Sequence, residues 1–89
     1  MPYLTPEEKR LAILKWMNDN PGRSSRLEIA RGIGYKNPST LHYELRELEQ
    51  GGAIYVWKVE RPQGSTKHWY ALTDKGFIYY EKLRLALSF

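Results

Sequence analysis

The stretch from Ser39 to Gly52 constrains the fold of this 89-residue chain most strongly. Leu41, Leu45 and Leu48 recur at helical spacing and predict an amphipathic helix with one buried stripe. Two glycines end this helix, because glycine readily adopts the left-handed conformation that closes a helix. The opposite face carries short polar groups, an aromatic ring and an arginine, which suit contacts with phosphates and base edges. An ordinary solvated helix face is the alternative interpretation.

The composition fits one small globular domain. Apolar residues make up 42% and charged residues 27% of the chain, a balance typical of folded proteins. The absence of cysteine excludes disulfides and thiolate metal sites. No apolar run approaches the roughly 20 residues that span a bilayer, and the N-terminus lacks the pattern of a signal peptide. We therefore expect a soluble cytoplasmic protein with no membrane partner.

The charge distribution points to a polyanionic partner. The net charge is +4, and the positive charge lies on both sides of the predicted helix. Residues 23–37 carry a net +3 and residues 57–68 a net +2, whereas residues 38–50 carry −2. The flanking residues that we predict to contact nucleic acid are Arg23, Arg26, Lys36 and Lys58. Asn37, at the expected start of the recognition helix, is a further predicted DNA contact.

Two shorter patterns precede this helix. Thr5 and Glu8 have the spacing of a capping box at the start of helix 1, and the same spacing recurs at the start of helix 2. Gly34 then permits a tight turn into helix 3. The three helices are predicted over about residues 5–20, 25–34 and 38–51. This order is typical of a DNA-binding helix-turn-helix, and by itself it fits an ordinary pair of antiparallel helices equally well.

Residues 53–73 predict a β-hairpin, because two runs rich in Ile, Val, Trp and Tyr flank a loop with proline and glycine. A symmetric register pairs Ile54 with Leu72 on the core face and Trp57 with Trp69 on the other face. The two indoles are expected to pack on each other, on the last helix, on a second subunit or on a ligand. The basic hairpin tip is either solvated or a second contact to DNA.

The last helix is predicted over about residues 74–88, with Thr73 as its N-cap and Asp74 in its first turn. Its apolar and aromatic surface exceeds what one small core needs, which suggests contact with a second copy of the chain. Trp16 of helix 1 is either a core residue, the favoured interpretation, or part of that contact. The candidate dimer contacts are Trp16, Phe77, Tyr80, Leu83 and Leu87.

From Ser39 to about Leu83 the chain resembles the winged helix-turn-helix domains of bacterial and archaeal regulators of the MarR and PadR type. The similarity lies in STLHYELRELEQGGAI, which holds the Leu-Glu-x-x-Gly end of a recognition helix, and in WYALTDKG at residues 69–76, where a wing strand ends as Tyr-x-Leu-Thr-x-x-Gly. The resemblance implies an α+β, mainly α fold. That fold is a winged helix-turn-helix with a three-helix core, a two-stranded β-hairpin wing and a C-terminal helix, in a single domain over residues 1–89.

The resemblance also implies the site residues. The positions that face the DNA groove are Ser39, Thr40, His42, Tyr43 and Arg46. The wing contacts are Arg61, Gln63, Ser65, Thr66 and Lys67. This chain departs from the pattern in two respects. Those families often carry a basic residue near the position that Tyr43 occupies here. In addition, three glutamates, at positions 44, 47 and 49, make helix 3 acidic. The acids avoid the phosphates if the helix enters the groove by its N-terminal end.

We therefore expect a sequence-specific transcriptional regulator that binds double-stranded DNA as a homodimer, at a palindromic site with half-sites about 10 base pairs apart. The alternative is a winged-helix adaptor between proteins of a larger assembly. Its contact surface would be Trp57, Trp69, Tyr79 and the acidic half of helix 3. The exposed aromatics also allow a minor third function in binding RNA or single strands.

Catalysis is not expected. His42 and His68 fall in different elements and have no metal-ligand spacing, and the chain has no phosphate-binding glycine loop and no nucleophile motif. The sequence thus predicts no metal and no cofactor, and it identifies no small-molecule effector.

Overall fold

The structure, a computed structural model, describes residues 4–87, except for the side chain of Pro62. In chain order the elements are α1 (Pro6–Asp19), α2 (Arg26–Ile33), a 3-10 turn (Pro38–Leu41), α3 (His42–Gln50), β1 (Ile54–Glu60), a 3-10 turn (Pro62–Gly64), β2 (Lys67–Leu72) and α4 (Asp74–Ala86). The fold is mainly helical with a two-stranded antiparallel sheet, as predicted. Residue 88, the predicted end of the last helix, lies outside the described residues. Within residues 4–87, no helix has the length and apolar character needed to cross a bilayer.

Side-chain caps begin three of the helices. The Thr5 hydroxyl accepts from the Glu8 backbone N–H at 3.2 Å, and the Glu8 carboxylate accepts from the Thr5 N–H at 3.0 Å, so the predicted capping box is complete. The hydroxyls of Ser25 and Thr73 each accept from the backbone N–H three residues ahead. These bonds satisfy donors that the first helical turn leaves without intrahelical partners.

The connection between α2 and α3 is a tight turn followed by a 3-10 turn. Gly34 closes α2 in the left-handed conformation, with φ of 98°, as the sequence indicates. The Asn37 side chain then accepts from the backbone N–H of Ser39 at 3.0 Å. The segment that follows is 3-10 rather than α-helical up to Leu41, so α3 begins at His42. The first residues of the predicted helix 3 therefore lie on this turn, at the entrance to the helix.

The core lies between the helices and the base of the hairpin. Leu41, Leu45 and Leu48, the predicted stripe, are 0%, 2% and 3% exposed. The other buried apolar residues are Ile13, Leu14, Met17, Ile29, Ala30, Ala53, Ile54 and Tyr80. Because the three leucines anchor one side of α3, its other side faces the solvent with Tyr43 and Arg46.

The register of the hairpin corrects one prediction. Near the base of the wing, Ile54 pairs with Leu72 as predicted. A β-bulge at Trp57 then shifts the pairing by one residue, so that Lys58 faces Trp69. The predicted pairing of Trp57 with Trp69 is therefore wrong. A bulge adds one residue to a single strand, which a symmetric register cannot represent.

Contacts on the far side of β2 accompany this shift. The Tyr70 N–H donates to the Ser24 carbonyl at 2.8 Å, and Ser25 forms an isolated antiparallel bridge with Trp69. The segment before α2 thus forms a single β-bridge with the wing, and both serines are buried at 1% exposure. These contacts tie the wing to the start of α2.

The Thr-x-x-Gly motif joins the wing to α4. The Thr73 hydroxyl donates to the backbone carbonyls of the Gly52–Ala53 segment, at 2.6 Å and 3.1 Å. It also accepts from the Gly76 N–H at 2.9 Å. A Cβ on Gly76 would overlap the carbonyl oxygen of Ala53. Glycine is therefore required here, because the backbone of α4 lies directly against the backbone of Ala53, the residue before β1.

Candidate nucleic-acid interface

A groove of about 550 Å³ separates α3 from the wing. Its lining contains cations from three separate segments: Arg26 at the start of α2, Arg46 on α3 and Lys67 at the start of β2. The other predicted site residues in this lining are His42, Ser65 and Thr66. The fold therefore brings six of the predicted residues to one concave surface.

Arg26 and His42 contact each other across the groove entrance. A guanidinium nitrogen of Arg26 lies 3.2 Å from Nδ1 of His42. Because a guanidinium can only donate, Nδ1 must accept in this arrangement. In the tautomer in which Nδ1 accepts, Nε2–H is a donor suited to a phosphate or to an acceptor on a base edge.

The predicted groove-facing residues of the recognition segment are all exposed: Ser39, Thr40, His42, Tyr43 and Arg46. Tyr43 is the most prominent, at 65% exposure. Its hydroxyl forms a hydrogen bond with Glu47, and this bond, with the nearby carboxylate charge, raises the pKa of Tyr43. The Ser39 hydroxyl donates to the side-chain oxygen of Asn37 at 2.7 Å, which orders the entrance to the helix.

The acidic residues of α3 are paired largely with α1. Glu44 is only 6% exposed, and one of its carboxylate oxygens lies 3.6 Å from the Lys9 ammonium nitrogen, an ion pair slightly too long for a hydrogen bond. Glu47 accepts from Arg10 at 3.3 Å. Each of these acids thus has a cation of α1 beside it. Glu49 remains exposed and lines the groove.

The wing holds its cations against indole rings. The Lys67 ammonium lies 4.5 Å from the centre of the Trp69 ring, and Lys58 lies 5.9 Å from the rings of both Trp57 and Trp69. The Trp69 indole N–H donates to Glu60, which also lies 3.8 Å from Lys58. Cation–π contacts of this kind restrain long basic side chains. The bulge therefore creates an ordered cluster of two cations on two tryptophans.

The remaining predicted contacts are exposed but lie outside the groove lining. Arg23 precedes α2, Lys36 lies in the turn before α3, and Arg61 and Gln63 lie at the hairpin tip. Gln63 adopts φ of 44°, a conformation in which side chains other than glycine are uncommon. These residues surround the groove and could reach the DNA backbone beyond it.

Sequence reasoning missed several residues that line the groove: Ser25, Leu27, Pro38, Leu45, Glu49, His68 and Tyr70. Tyr70 is half-buried, and this burial, followed by the charge of Glu49, raises its pKa. Tyr70 is two residues before Leu72, so period-2 alternation assigns it to the same core face, and nothing local to the strand indicates that its ring also borders the groove.

The candidate dimer residues divide into buried and exposed ones. Tyr80 is 7% exposed and belongs to the core. Leu83 and Trp16 are partly buried against it, and Trp16 packs so closely on Gly32 that a Cβ there would overlap the indole. Leu87 is half-buried, whereas Phe77 is 46% exposed. Burial of Tyr80 within the protomer leaves little of its surface for a partner.

The surface assigned to the adaptor alternative is only partly accessible. Trp57 is 45% exposed, but Trp69 and Tyr79 are partly buried and Glu44 is buried.

Within residues 4–87, no three His, Asp or Glu side chains lie close enough together to hold a metal ion.

Solved structures with a similar fold include those of two proteins that regulate transcription. No protein-family model matches this sequence, and no curated protein is significantly similar to it. The structure of smu.1704 from Streptococcus mutans UA159 is 25% identical, with a TM-score of 0.77, over 99% of this chain and 84% of that one. The PcaV transcriptional regulator from Streptomyces coelicolor, in complex with its natural ligand, is 20% identical, with a TM-score of 0.66, over 93% of this chain and 54% of that one. The transcriptional repressor CouR, bound to a 23-mer DNA duplex, is 28% identical, with a TM-score of 0.63, over 93% of this chain and 56% of that one.

The fold is therefore a winged helix-turn-helix, with α2 and α3 as the helix-turn-helix and β1–β2 as the wing. This fold is similar to that of winged-helix regulators of the MarR type, as the sequence resemblance predicts. The chain spans about half of the length of PcaV and CouR.

Proposed function

We propose that this protein is a transcriptional regulator of the cytoplasm that binds specific sequences of double-stranded DNA as a homodimer. The observation that carries the proposal is the groove between α3 and the wing, where Arg26, Arg46 and Lys67 meet. A concave surface with cations from three segments fits a phosphate backbone. CouR, whose fold is similar, was solved with a DNA duplex, which supports the same use of this surface.

The proposed docking places the N-terminal end of α3 in the major groove. The exposed residues there are small, polar or aromatic, and the 3-10 turn before α3 carries Ser39 and Thr40, which are both exposed. The residues proposed to read bases are Ser39, Thr40, His42, Tyr43 and Arg46. Those proposed to contact the backbone are Arg23, Arg26, Lys36, Asn37, Lys58, Arg61, Gln63, Ser65, Thr66 and Lys67.

The acids of α3 are compatible with this docking because of α1. Glu44 is buried beside Lys9, and Glu47 is paired with Arg10. Both carboxylates therefore contribute less negative potential at the DNA surface than their number suggests. Glu49 lines the groove between α3 and the wing, but it lies in the last turns of α3, away from the N-terminal end proposed to enter the major groove of DNA.

Selection of bound duplexes from a random pool, followed by affinity measurements at several salt concentrations, tests the proposal. We expect an inverted repeat with half-sites about 10 base pairs apart, which reflects a two-fold symmetric dimer. For about 6–10 phosphate contacts per dimer, the affinity should fall about 10³-fold or more between 50 mM and 200 mM salt. Affinity that does not change with salt, or a selected pool without any shared sequence, would contradict the proposal.

The pairing of Arg10 with Glu47 gives a second test, because Arg10 lies on α1. We expect Arg10→Ala to lower the affinity for duplex about threefold to tenfold, since it leaves the Glu47 charge unpaired beside the DNA. Adding Glu47→Gln in the same chain should restore most of the affinity. Lys15→Ala, which removes an exposed cation of α1 that does not contact Glu47, is the control and should change the affinity little. If the double variant loses as much affinity as Arg10→Ala does, then Arg10 acts otherwise than by pairing with Glu47.

A further inference from the structure

Tyr43 is held by a chain of two contacts that begins on α1. The Arg10 side chain is only 19% exposed, so packing restricts the motion of its guanidinium, which donates to the carboxylate of Glu47 at 3.3 Å. That carboxylate also forms a hydrogen bond with the hydroxyl of Tyr43, which lies one turn earlier on the same side of α3. Tyr43 itself is 65% exposed, near the start of the helix. A largely buried cation thus orients an exposed aromatic side chain at the proposed DNA surface.

The direction of this hydrogen bond determines what Tyr43 can offer to a second partner. A carboxylate oxygen only accepts, so the proton in the bond belongs to the tyrosine hydroxyl. The hydrogen bond to Glu47, followed by the charge of its carboxylate, raises the pKa of Tyr43, so the hydroxyl keeps its proton throughout the physiological range of pH. The hydroxyl has a single proton, whereas its oxygen still has lone pairs that accept. Toward the solvent, Tyr43 is therefore an acceptor without a free donor.

A hydroxyl held in this way distinguishes the bases of DNA. In the major groove, adenine and cytosine present an exocyclic amino group as a donor, whereas guanine and thymine present a keto oxygen as an acceptor. An acceptor on the protein pairs with the amino groups and is opposed by the keto oxygens. A tyrosine hydroxyl without a carboxylate beside it can rotate, and it then donates or accepts as the base requires. Glu47 thus converts an unselective hydroxyl into a selective one.

We propose that Tyr43 reads an exocyclic amino group, that of adenine or cytosine, at one position of each DNA half-site, with Glu47 as its positioning residue. The inference rests on the proposed function, since it assigns a base preference within the site proposed there. A lysine or arginine in place of Tyr43 would donate, and it would favour guanine instead.

Selection from a random pool with Tyr43→Phe tests the assignment, because phenylalanine retains the ring and removes only the hydroxyl. The unmodified chain should select adenine or cytosine at one position of each half-site where the variant selects no particular base, and the other positions should not change. Tyr55→Phe, which removes the hydroxyl of another exposed tyrosine outside the groove lining, is the matched control and should select the same site as the unmodified chain. Circular dichroism verifies that both variants are folded.

Duplexes that lack the amino group measure the contact directly. Purine in place of adenine, or 2-pyrimidinone in place of cytosine, removes the donor at the selected position. We expect the affinity of the unmodified chain to fall about threefold to tenfold, the usual effect of losing one neutral hydrogen bond. The same replacement should change the affinity of Tyr43→Phe less than about twofold, as a double-mutant cycle requires of a direct contact. Fluorescence anisotropy compares the four combinations.

Glu47→Ala distinguishes positioning from a general effect on affinity. This variant leaves the Arg10 charge unpaired, which should strengthen binding to all duplexes alike. It also frees the Tyr43 hydroxyl to rotate, so the preference for an amino over a keto base at the selected position should fall from about tenfold to about twofold. If the preference stays the same in Glu47→Ala, then Glu47 does not position Tyr43, and that part of the inference is wrong.

The outcomes separate this inference from the proposed function. If Tyr43→Phe selects the same bases as the unmodified chain at every position, or if the position that depends on Tyr43 holds guanine or thymine, the inference is wrong. Selective binding by the unmodified chain in the same experiment would then still support the proposed function, with other side chains reading the bases. If the unmodified chain binds no duplex, the proposed function and this inference are both wrong.

Discussion

Reversing the charge of Arg46, Arg61 and Lys67 together is expected to abolish specific DNA binding while the domain stays folded. All three side chains lie at or beside the groove, and none is in an ion pair with a described residue between positions 4 and 87. Each reversal to glutamate removes two charges, so the net charge changes from +4 to −2. Since one Arg contact is worth about 1–3 kcal/mol, we expect a loss of at least about a hundredfold in affinity. Fluorescence anisotropy with the selected duplex measures it.

A control variant carries the same change in net charge at a different surface. Reversal of Arg31, Lys75 and Lys82, which lie on α2 and α4 outside the groove lining and form no ion pair within residues 4–87, should lower the affinity far less. The comparison separates local contacts from the general effect of net charge. If the groove variant binds duplex as well as the unmodified chain does, the adaptor alternative replaces DNA binding as the better hypothesis. If both variants lose affinity equally, the interface does not lie in this groove.

Gly76→Ala is expected to produce the largest loss of stability of any alanine substitution at a glycine of this chain. The new methyl group would overlap the carbonyl oxygen of Ala53. Neither group can move independently, because that oxygen accepts from the N–H of Thr73 at 3.0 Å. Overpacking of this kind costs about 3 kcal/mol. For a domain of this size the cost corresponds to a fall of about 10–20 °C in Tm.

The matched control is Gly51→Ala at the end of α3. Gly51 has φ of −77°, which alanine also adopts, and a Cβ there would come no closer than 3.3 Å to the backbone. We expect a change within about 1 kcal/mol in the free energy of unfolding. Thermal unfolding followed by circular dichroism compares the two variants. If both substitutions have an equally small effect, α4 can move away from Ala53 without a large loss of stability.

Local patterns were sufficient to predict the order of elements. Capping by Thr5, Ser25 and Thr73, the leucine stripe of α3 and the left-handed turn at Gly34 all appear where the sequence indicates. Each depends on residues within a few positions of each other, where hydrogen bonds and periodicity are set by the backbone itself. The resemblance in WYALTDKG also identified a real junction, although the reason for its glycine is a contact with Ala53, more than twenty residues away.

Contacts between distant segments were not predictable. The bulge at Trp57 accompanies the bridges from Ser24 and Ser25 to the other side of β2, and no signal within the hairpin reveals them. The burial of Tyr80 was not predictable either, because an aromatic residue fits either a core or an interface and only packing distinguishes the two.

The sequence by itself determined the helices, their caps, the hairpin and the basic flanks of the recognition segment. Only the tertiary structure decided how those charges combine, since it buries Glu44 beside Lys9, pairs Glu47 with Arg10 and gathers cations of α2, α3 and the wing around one groove. The physical reason is that helix and turn formation depends on neighbours along the chain, whereas the electrostatic effect of a charge depends on whatever the fold places opposite it.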